Sequence, residues 1–138
     1  LTGGEANSIG PGKRMLSSMT PTIVVSSETA WLVMGSPGGS TIITTVAQVI
    51  MDIIDLGMDP VSAVAAPRYH HQWSPDLVYF EDGAFTAGEM DALEKMGHML
   101  RERPPIGDVQ LISREGSTLV GVSDPRGGGL SLGTGSGH

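Results

Sequence analysis

Seven apolar residues between Ile42 and Ile54 recur at helical spacing, and a glycine pair, Gly38-Gly39, stands immediately before them. Ile42, Ile43, Val46, Val49, Ile50, Ile53 and Ile54 follow the i, i+3, i+4, i+7 pattern of a helix with one buried face. Thr44, Thr45, Gln48, Asp52 and Asp55 are expected on the opposite side, and Gly57 supplies a stop. The segment Gly35-Ser36-Pro37-Gly38-Gly39 must turn the chain into this helix. Glycine there permits positive φ and close approach of another group to the backbone. The entrance presents unpaired N–H groups at the positive end of the helix dipole, where an anion or a developing oxyanion can be held. A plain strand-to-helix turn would need the same small residues.

The surrounding chain reads as alternating short strands and helices. Thr22–Ser26 and Ala30–Met34 are β-rich runs joined by the polar turn Ser27-Glu28-Thr29, a hairpin signature. Both are apolar at successive positions, so cover is expected on both faces. Asp59-Pro60 begins a second helix, with Asp at the N-cap and Pro at the first helical position, carrying Val61, Val64 and Ala65. Residues 67–76 read as a loop and Leu77–Glu81 as a strand. Ala87–Gly97 reads as a third helix with Met90, Leu93 and Met96 facing inward. Val109–Arg114 and Thr118–Val122 form a second hairpin through Glu115-Gly116-Ser117. The order predicts an α+β fold with largely antiparallel sheets. Residues 127–138 are Gly/Ser-rich and are expected to be a mobile tail.

Composition removes several classes of function. The 138 residues carry no cysteine, which excludes disulfides, cysteine nucleophiles and thiolate metal sites. Net charge is −7, and no basic run offers a nucleic-acid surface. The apolar run Ile42–Leu56 is interrupted by polar residues and reads as a helix of a water-soluble fold. The chain starts at Leu1 without Met, which suggests a processed or truncated piece.

Four further clusters hold chemistry-bearing residues. Leu16-Ser17-Ser18-Met19 places two adjacent hydroxyls between a basic pair, Lys13 and Arg14, and the first strand; such hydroxyls can donate to a carboxylate or belong to a polar turn. Tyr69-His70-His71-Gln72-Trp73 contains paired histidines, but adjacent side chains point apart and no partner sits at ligand spacing, so the reading is loop packing and no metal site. Ser123-Asp124-Pro125-Arg126-Gly127 reads as an Asp-initiated turn with a local ion pair, the alternative being an anion grip by Arg126. Asp52 and Asp55 are neighbours on a polar helix face and read as solvated. A candidate oxyanion site thus stands without an obvious nucleophile motif of its own.

Taken together, Gly12-Lys13-Arg14-Met15-Leu16-Ser17-Ser18-Met19-Thr20-Pro21-Thr22-Ile23-Val24, Gly35-Ser36-Pro37-Gly38-Gly39-Ser40 with Ile42-Ile43-Thr44-Thr45-Val46, Ala66-Pro67-Arg68-Tyr69-His70-His71-Gln72-Trp73 and Gly121-Val122-Ser123-Asp124-Pro125-Arg126 resemble the small subunit of the γ-glutamyltranspeptidases. The resemblance implies an N-terminal-nucleophile hydrolase fold, a four-layer αββα sandwich, with residues 1–126 forming the C-terminal portion of the small subunit. It implies a self-cleaving precursor whose new N-terminal threonine attacks γ-glutamyl amides such as glutathione. The acyl group then passes to water, an amino acid or a peptide, with no metal or organic cofactor. By the same resemblance, Ser17 and Ser18 match the pair that binds the substrate α-carboxylate, and Gly38 and Gly39 match the oxyanion-hole glycines. The basic residue for that carboxylate belongs to the large subunit, so Arg14 is not given this role.

The nucleophilic threonine, and the Asn, Gln and Asp that hold the α-amino group, are expected upstream of Leu1. Thr2 is no substitute for the nucleophile. The partners implied are the large subunit and the remainder of the small subunit, with self-association through exposed faces a further expectation and nucleic acid excluded. The family implies a periplasmic, secreted or membrane-anchored location. Two other readings stand beside this one: a related γ-glutamyl or glutaryl acylase, and a non-catalytic binding or scaffold module.

Overall fold

The computed structural model describes residues 4–133. Thr2, weighed above as a nucleophile, and the tail beyond residue 133 lie outside the described residues. Four strands form an antiparallel sheet in the order β1-β2-β6-β7: β1 (Thr22–Ser26), β2 (Thr29–Gly35), β6 (Gln110–Glu115) and β7 (Thr118–Ser123). Three short strands, β3 (Tyr69–His70), β4 (Val78–Phe80) and β5 (Leu100–Glu102), form a second sheet. Its β3–β4 pair is antiparallel and its β4–β5 pair parallel. The helices are α1 (Ile42–Ile54), α2 (Pro60–Ala65) and α3 (Ala87–Lys95).

The α+β expectation holds, and most pairing is antiparallel. The two β runs at 22–35 form the expected hairpin, as do those at 110–123. Asp59 caps α2 by accepting from the amides of Val61 and Ser62, both at 3.0 Å. The Ser62 hydroxyl, together with these amides, holds its carboxyl below the ordinary Asp value. Thr86 and Glu89 form a reciprocal capping box at the start of α3.

One face of the four-stranded sheet is closed. Leu32, Met34, Leu111 and Val122 pack there against Ile42, Val46, Val49 and Ile53 of α1 and Ala63 and Val64 of α2. The opposite face follows from the period-2 alternation of the strands. It presents Ile23, Val25, Val33, Ile112 and Leu119, all exposed. Cover on both faces was expected; among the described residues these five side chains stay exposed, and the segment around Ser131 reaches only the Gly121 part of this face. In the tail, Ser131 meets Ser123 hydroxyl to hydroxyl at 2.9 Å.

Two features of the helices differ from their periodicity. Thr45, expected outward on α1, is fully buried, whereas Ile43 and Ile54, expected inward, are exposed. Thr45 is covered by the backbone at Gly107. A Cβ at Gly107 would lie 2.9 Å from Thr45 Cγ2, so this side of the helix is covered by backbone. Met96 was expected to face inward with Met90 and Leu93, but it is the C-cap of α3 and is exposed. The strands β3 and β5 went unread because each is two or three residues long with charged or polar members, too short for an alternation signal.

Candidate active site

The glycine pair adopts a conformation that other residues rarely reach. Gly38 has φ 139° and Gly39 φ 61°. A Cβ on Gly38 would also stand 2.5 Å from Thr41 Oγ1. Gly38 caps a short 3-10 turn, Gly39–Thr41, which runs directly into α1. Both glycines are exposed, and no hydrogen bond among the described residues uses their amide protons. Two donors therefore sit in solvent at the positive end of a 13-residue helix.

The carbonyls of the same pair are held. Thr41 donates to the Gly38 carbonyl from its amide at 3.2 Å and from Oγ1 at 3.0 Å. Ser18 Oγ donates to the Gly39 carbonyl at 2.7 Å. That bond brings the serine pair, 21 residues away in sequence, onto the glycine turn. Ser17 is exposed, and its Oγ accepts from the Met19 amide at 3.3 Å. Thr20, two residues beyond Ser18, takes φ 36°, an unfavourable value for a β-branched residue. Ser36, just before the turn, donates to the Pro37 carbonyl at 2.7 Å and accepts from the Asp108 amide at 2.9 Å. It ties the turn to the start of β6. Sequence reasoning passed over Ser36 because its partner is 72 residues away.

The other clusters resolve into structural roles. Arg126 gives its Nε to Glu81 at 3.0 Å, its Nη1 to Asp124 at 3.1 Å and its Nη2 to Glu81 at 2.5 Å and to the Ala66 carbonyl at 2.7 Å. Its donors are spent on the protein, so the local ion pair read from sequence is present and the anion grip is not. The other half of this network has no local signature along the chain. Arg68 is buried and donates to Asp124 at 2.7 Å, to the Ile106 carbonyl at 2.7 Å and to the Val64 carbonyl at 2.5 Å. Glu81 accepts from the amides of Arg68, at 2.9 Å, and Ile106.

Burial alone would raise the Asp124 and Glu81 carboxyls. For Asp124, the Val109 and Arg126 amides and the Arg68 guanidinium outweigh burial and hold it low. For Glu81, Arg126 and the two amides do the same. Burial lowers Arg68 despite Asp124, whereas the hydrogen bonds of Arg126 to Glu81 and Asp124 raise it against burial.

The histidines diverge. His70 is buried, with Nδ1 2.8 Å from Thr44 Oγ1 and Nε2 3.1 Å from Gln72 Oε1. His71 instead meets Asp76 at 2.9 Å. Asp55 is exposed as expected, but Asp52 is partly covered, and burial raises its pKa against the opposing charge of Arg68. A groove of about 800 Å³ lined by Glu81, Arg103, Pro105 and Arg126 contains none of Ser17, Ser18, Gly38 and Gly39. The chemistry-bearing donors therefore lie outside that cavity.

Comparison with known proteins gives the family of the chain. The family profile described as Gamma-glutamyltranspeptidase matches residues 2–134. A glutathione hydrolase proenzyme of Escherichia coli (strain K12) is 48% identical over 128 residues, which cover 91% of this chain and 22% of that protein. A glutathione hydrolase proenzyme of Pseudomonas aeruginosa is 44% identical over 135 residues, covering 96% of this chain and 24% of that one. Among solved structures, gamma-glutamyltranspeptidase from Pseudomonas nitroreducens complexed with L-DON superposes with a TM-score of 0.88 at 42% identity, covering 98% of this chain and 72% of that one. The chain thus spans under a quarter of the length of these two curated relatives.

Proposed function

The chain belongs to the gamma-glutamyltranspeptidase family, and from that premise we propose that it is the acyl-binding part of an enzyme that cleaves γ-glutamyl amides such as glutathione. The observation that carries this reading is the 2.7 Å bond from Ser18 to the Gly39 carbonyl, which joins a carboxylate-type donor segment to an oxyanion-type turn. A γ-glutamyl group needs both within one acyl length.

The chemistry runs as follows in this reading. A threonine hydroxyl supplied from outside residues 1–138 attacks the γ-carbonyl carbon. The carbonyl oxygen takes the electron pair and accepts from the amides of Gly38 and Gly39, each such donor worth about 3 kcal/mol of barrier. Collapse of the tetrahedral intermediate breaks the C–N bond, and the amine leaves with the proton that the threonine hydroxyl gave up. Water or an amino group then attacks the acyl ester and releases the threonine. The Ser17-Ser18 segment receives the substrate α-carboxylate, and no step calls for a metal or organic cofactor.

The exposed face of Ile23, Val25, Val33, Ile112 and Leu119 is the surface that the rest of the enzyme covers, the large subunit included. A periplasmic, secreted or membrane-anchored location belongs to the same reading. The test is release of the aniline from L-γ-glutamyl anilide by the complete protein that carries this segment. Turnover that disappears when Gly38 is replaced supports the reading. A folded, processed protein with no turnover overturns it.

A further inference from the structure

We propose that Trp73 is a specificity-determining residue: its indole forms the wall against which the amine portion of a γ-glutamyl amide packs, and it favours aromatic amines over small alkyl ones. The proposal rests on the functional reading above and extends it to the side of the substrate that leaves.

Trp73 is held in a conformation that a bulky residue rarely adopts, with φ 69°. The Ser74 amide donates to the Gln72 carbonyl at 2.8 Å, so Trp73 is the middle residue of a γ-turn of the uncommon positive-φ kind. Bonds to the rest of the fold brace this turn. Gln72 donates from Nε2 to the Ser74 carbonyl at 2.8 Å, which leaves its Oε1 facing His70 Nε2 at 3.1 Å. His70 is buried, and its Nδ1 lies 2.8 Å from Thr44 Oγ1 of α1. His71 meets Asp76 at 2.9 Å across the loop. The side chain that this bracing presents is nevertheless 80% exposed. Among the described residues its ring has no aromatic or cationic partner, and its Nε1–H has no acceptor. Unfavourable backbone fixed by its surroundings is a mark of ligand clamps, and an indole offers a large, rigid apolar face.

The same bonds set where the indole stands. Gln48 of α1 donates to the Tyr69 carbonyl at 2.8 Å and accepts from the Tyr69 amide at 3.0 Å, while Thr44, one helical turn earlier, meets His70. The chain from Tyr69 to His70 therefore runs against α1, towards the helix entrance that carries Gly38 and Gly39. From Thr44 back to Gly39 is about 8 Å along the helix axis. Three residues of chain beyond His70 reach up to about 10 Å. Trp73 thus comes level with the glycine turn. The acyl part of the substrate ends at those amides, so the part that continues past them is the amine. Stacking on the indole rewards an aromatic amine and gives a methyl group little.

The experiment compares the complete protein with its Trp73→Ala and Trp73→Phe variants on two donors that share the γ-glutamyl group, L-γ-glutamyl anilide and L-γ-glutamyl methylamide. Trp73→Ala should lower kcat/KM for the anilide about fivefold and change that for the methylamide by less than about twofold. Trp73→Phe, which keeps an aromatic face, should restore most of the difference. An equal change on both donors, or no change on either, overturns the proposal.

A second arm needs no turnover. The difference in tryptophan emission between wild type and Trp73→Phe isolates Trp73. Acrylamide should quench that emission freely in the complete protein, and L-phenylalaninamide should protect it where glycinamide does not. Emission already shielded before any amine is added means that Trp73 packs against the rest of the enzyme, which overturns the proposal, as does a lack of protection. Wild-type protein that cleaves neither donor counts against the functional reading, while the quenching arm still decides whether Trp73 takes an aromatic amine.

Discussion

Arg68 and Asp124, 56 residues apart in the chain, form a buried ion pair at 2.7 Å. The pair ties the segment after α2 to the end of β7. Arg126 and Glu81 complete it, so two guanidinium groups and two carboxylates are closed off together. Val64, at the C-terminal end of α2, accepts from both arginines, where the helix dipole favours positive charge.

Removing one member should leave an uncompensated charge in the interior. Arg68→Ala in the complete protein is expected to cost about 3–5 kcal/mol, because Asp124 stays buried beside Val109. Denaturant midpoints of the variant and the wild type measure it. A loss below about 1 kcal/mol would mean that the pair contributes little net stability.

Acid should weaken the same junction. Asp124 and Glu81 are held below their ordinary values of 3.8 and 4.5. Groups depressed in the folded state contribute stability that is complete above the unfolded values and lost as pH falls through the folded ones. Stability should therefore be flat from neutral pH down to about 5 and then decline towards pH 2. Asp52, raised by burial, acts in the opposite sense and offsets a small part of the decline. Thermal midpoints across this range test it, and in Asp124→Asn the slope below pH 4 should be shallower.

Gly38→Ala addresses the oxyanion turn. The added Cβ meets Thr41 Oγ1 at 2.5 Å, and φ 139° is unfavourable for alanine. The turn must open, which misdirects the Gly39 amide. We expect kcat on L-γ-glutamyl anilide to fall by about 10²–10³ with little change in melting temperature. Activity within a factor of about three of wild type would remove Gly38 from the oxyanion role.

Ser17→Ala removes one exposed hydroxyl that no fold contact depends on beyond the Met19 amide. A hydrogen bond to a charged group is worth about 1.5–3 kcal/mol, so KM for the γ-glutamyl donor should rise roughly tenfold to a hundredfold. Steady-state kinetics separate this from an effect on kcat. An unchanged KM would mean that the carboxylate is held elsewhere.

The local elements and the chemistry-bearing motifs are legible in the order of residues. The periodic apolar residues of α1, the Asp59-Pro60 start of α2 and the turns Ser27-Glu28-Thr29 and Glu115-Gly116-Ser117 act over a few residues, so they can be read without a partner. The same holds for Gly38-Gly39, whose backbone demands glycine whatever surrounds it. The burial of Thr45 comes from packing, since the backbone at Gly107, 62 residues on, covers it against its own pattern. Tertiary structure alone joined Arg68 to Asp124, and Ser18 to Gly39. A hydrogen bond or an ion pair needs its partners within about 3 Å in one orientation. No spacing along the chain encodes that, because it follows from how sheet and helices pack.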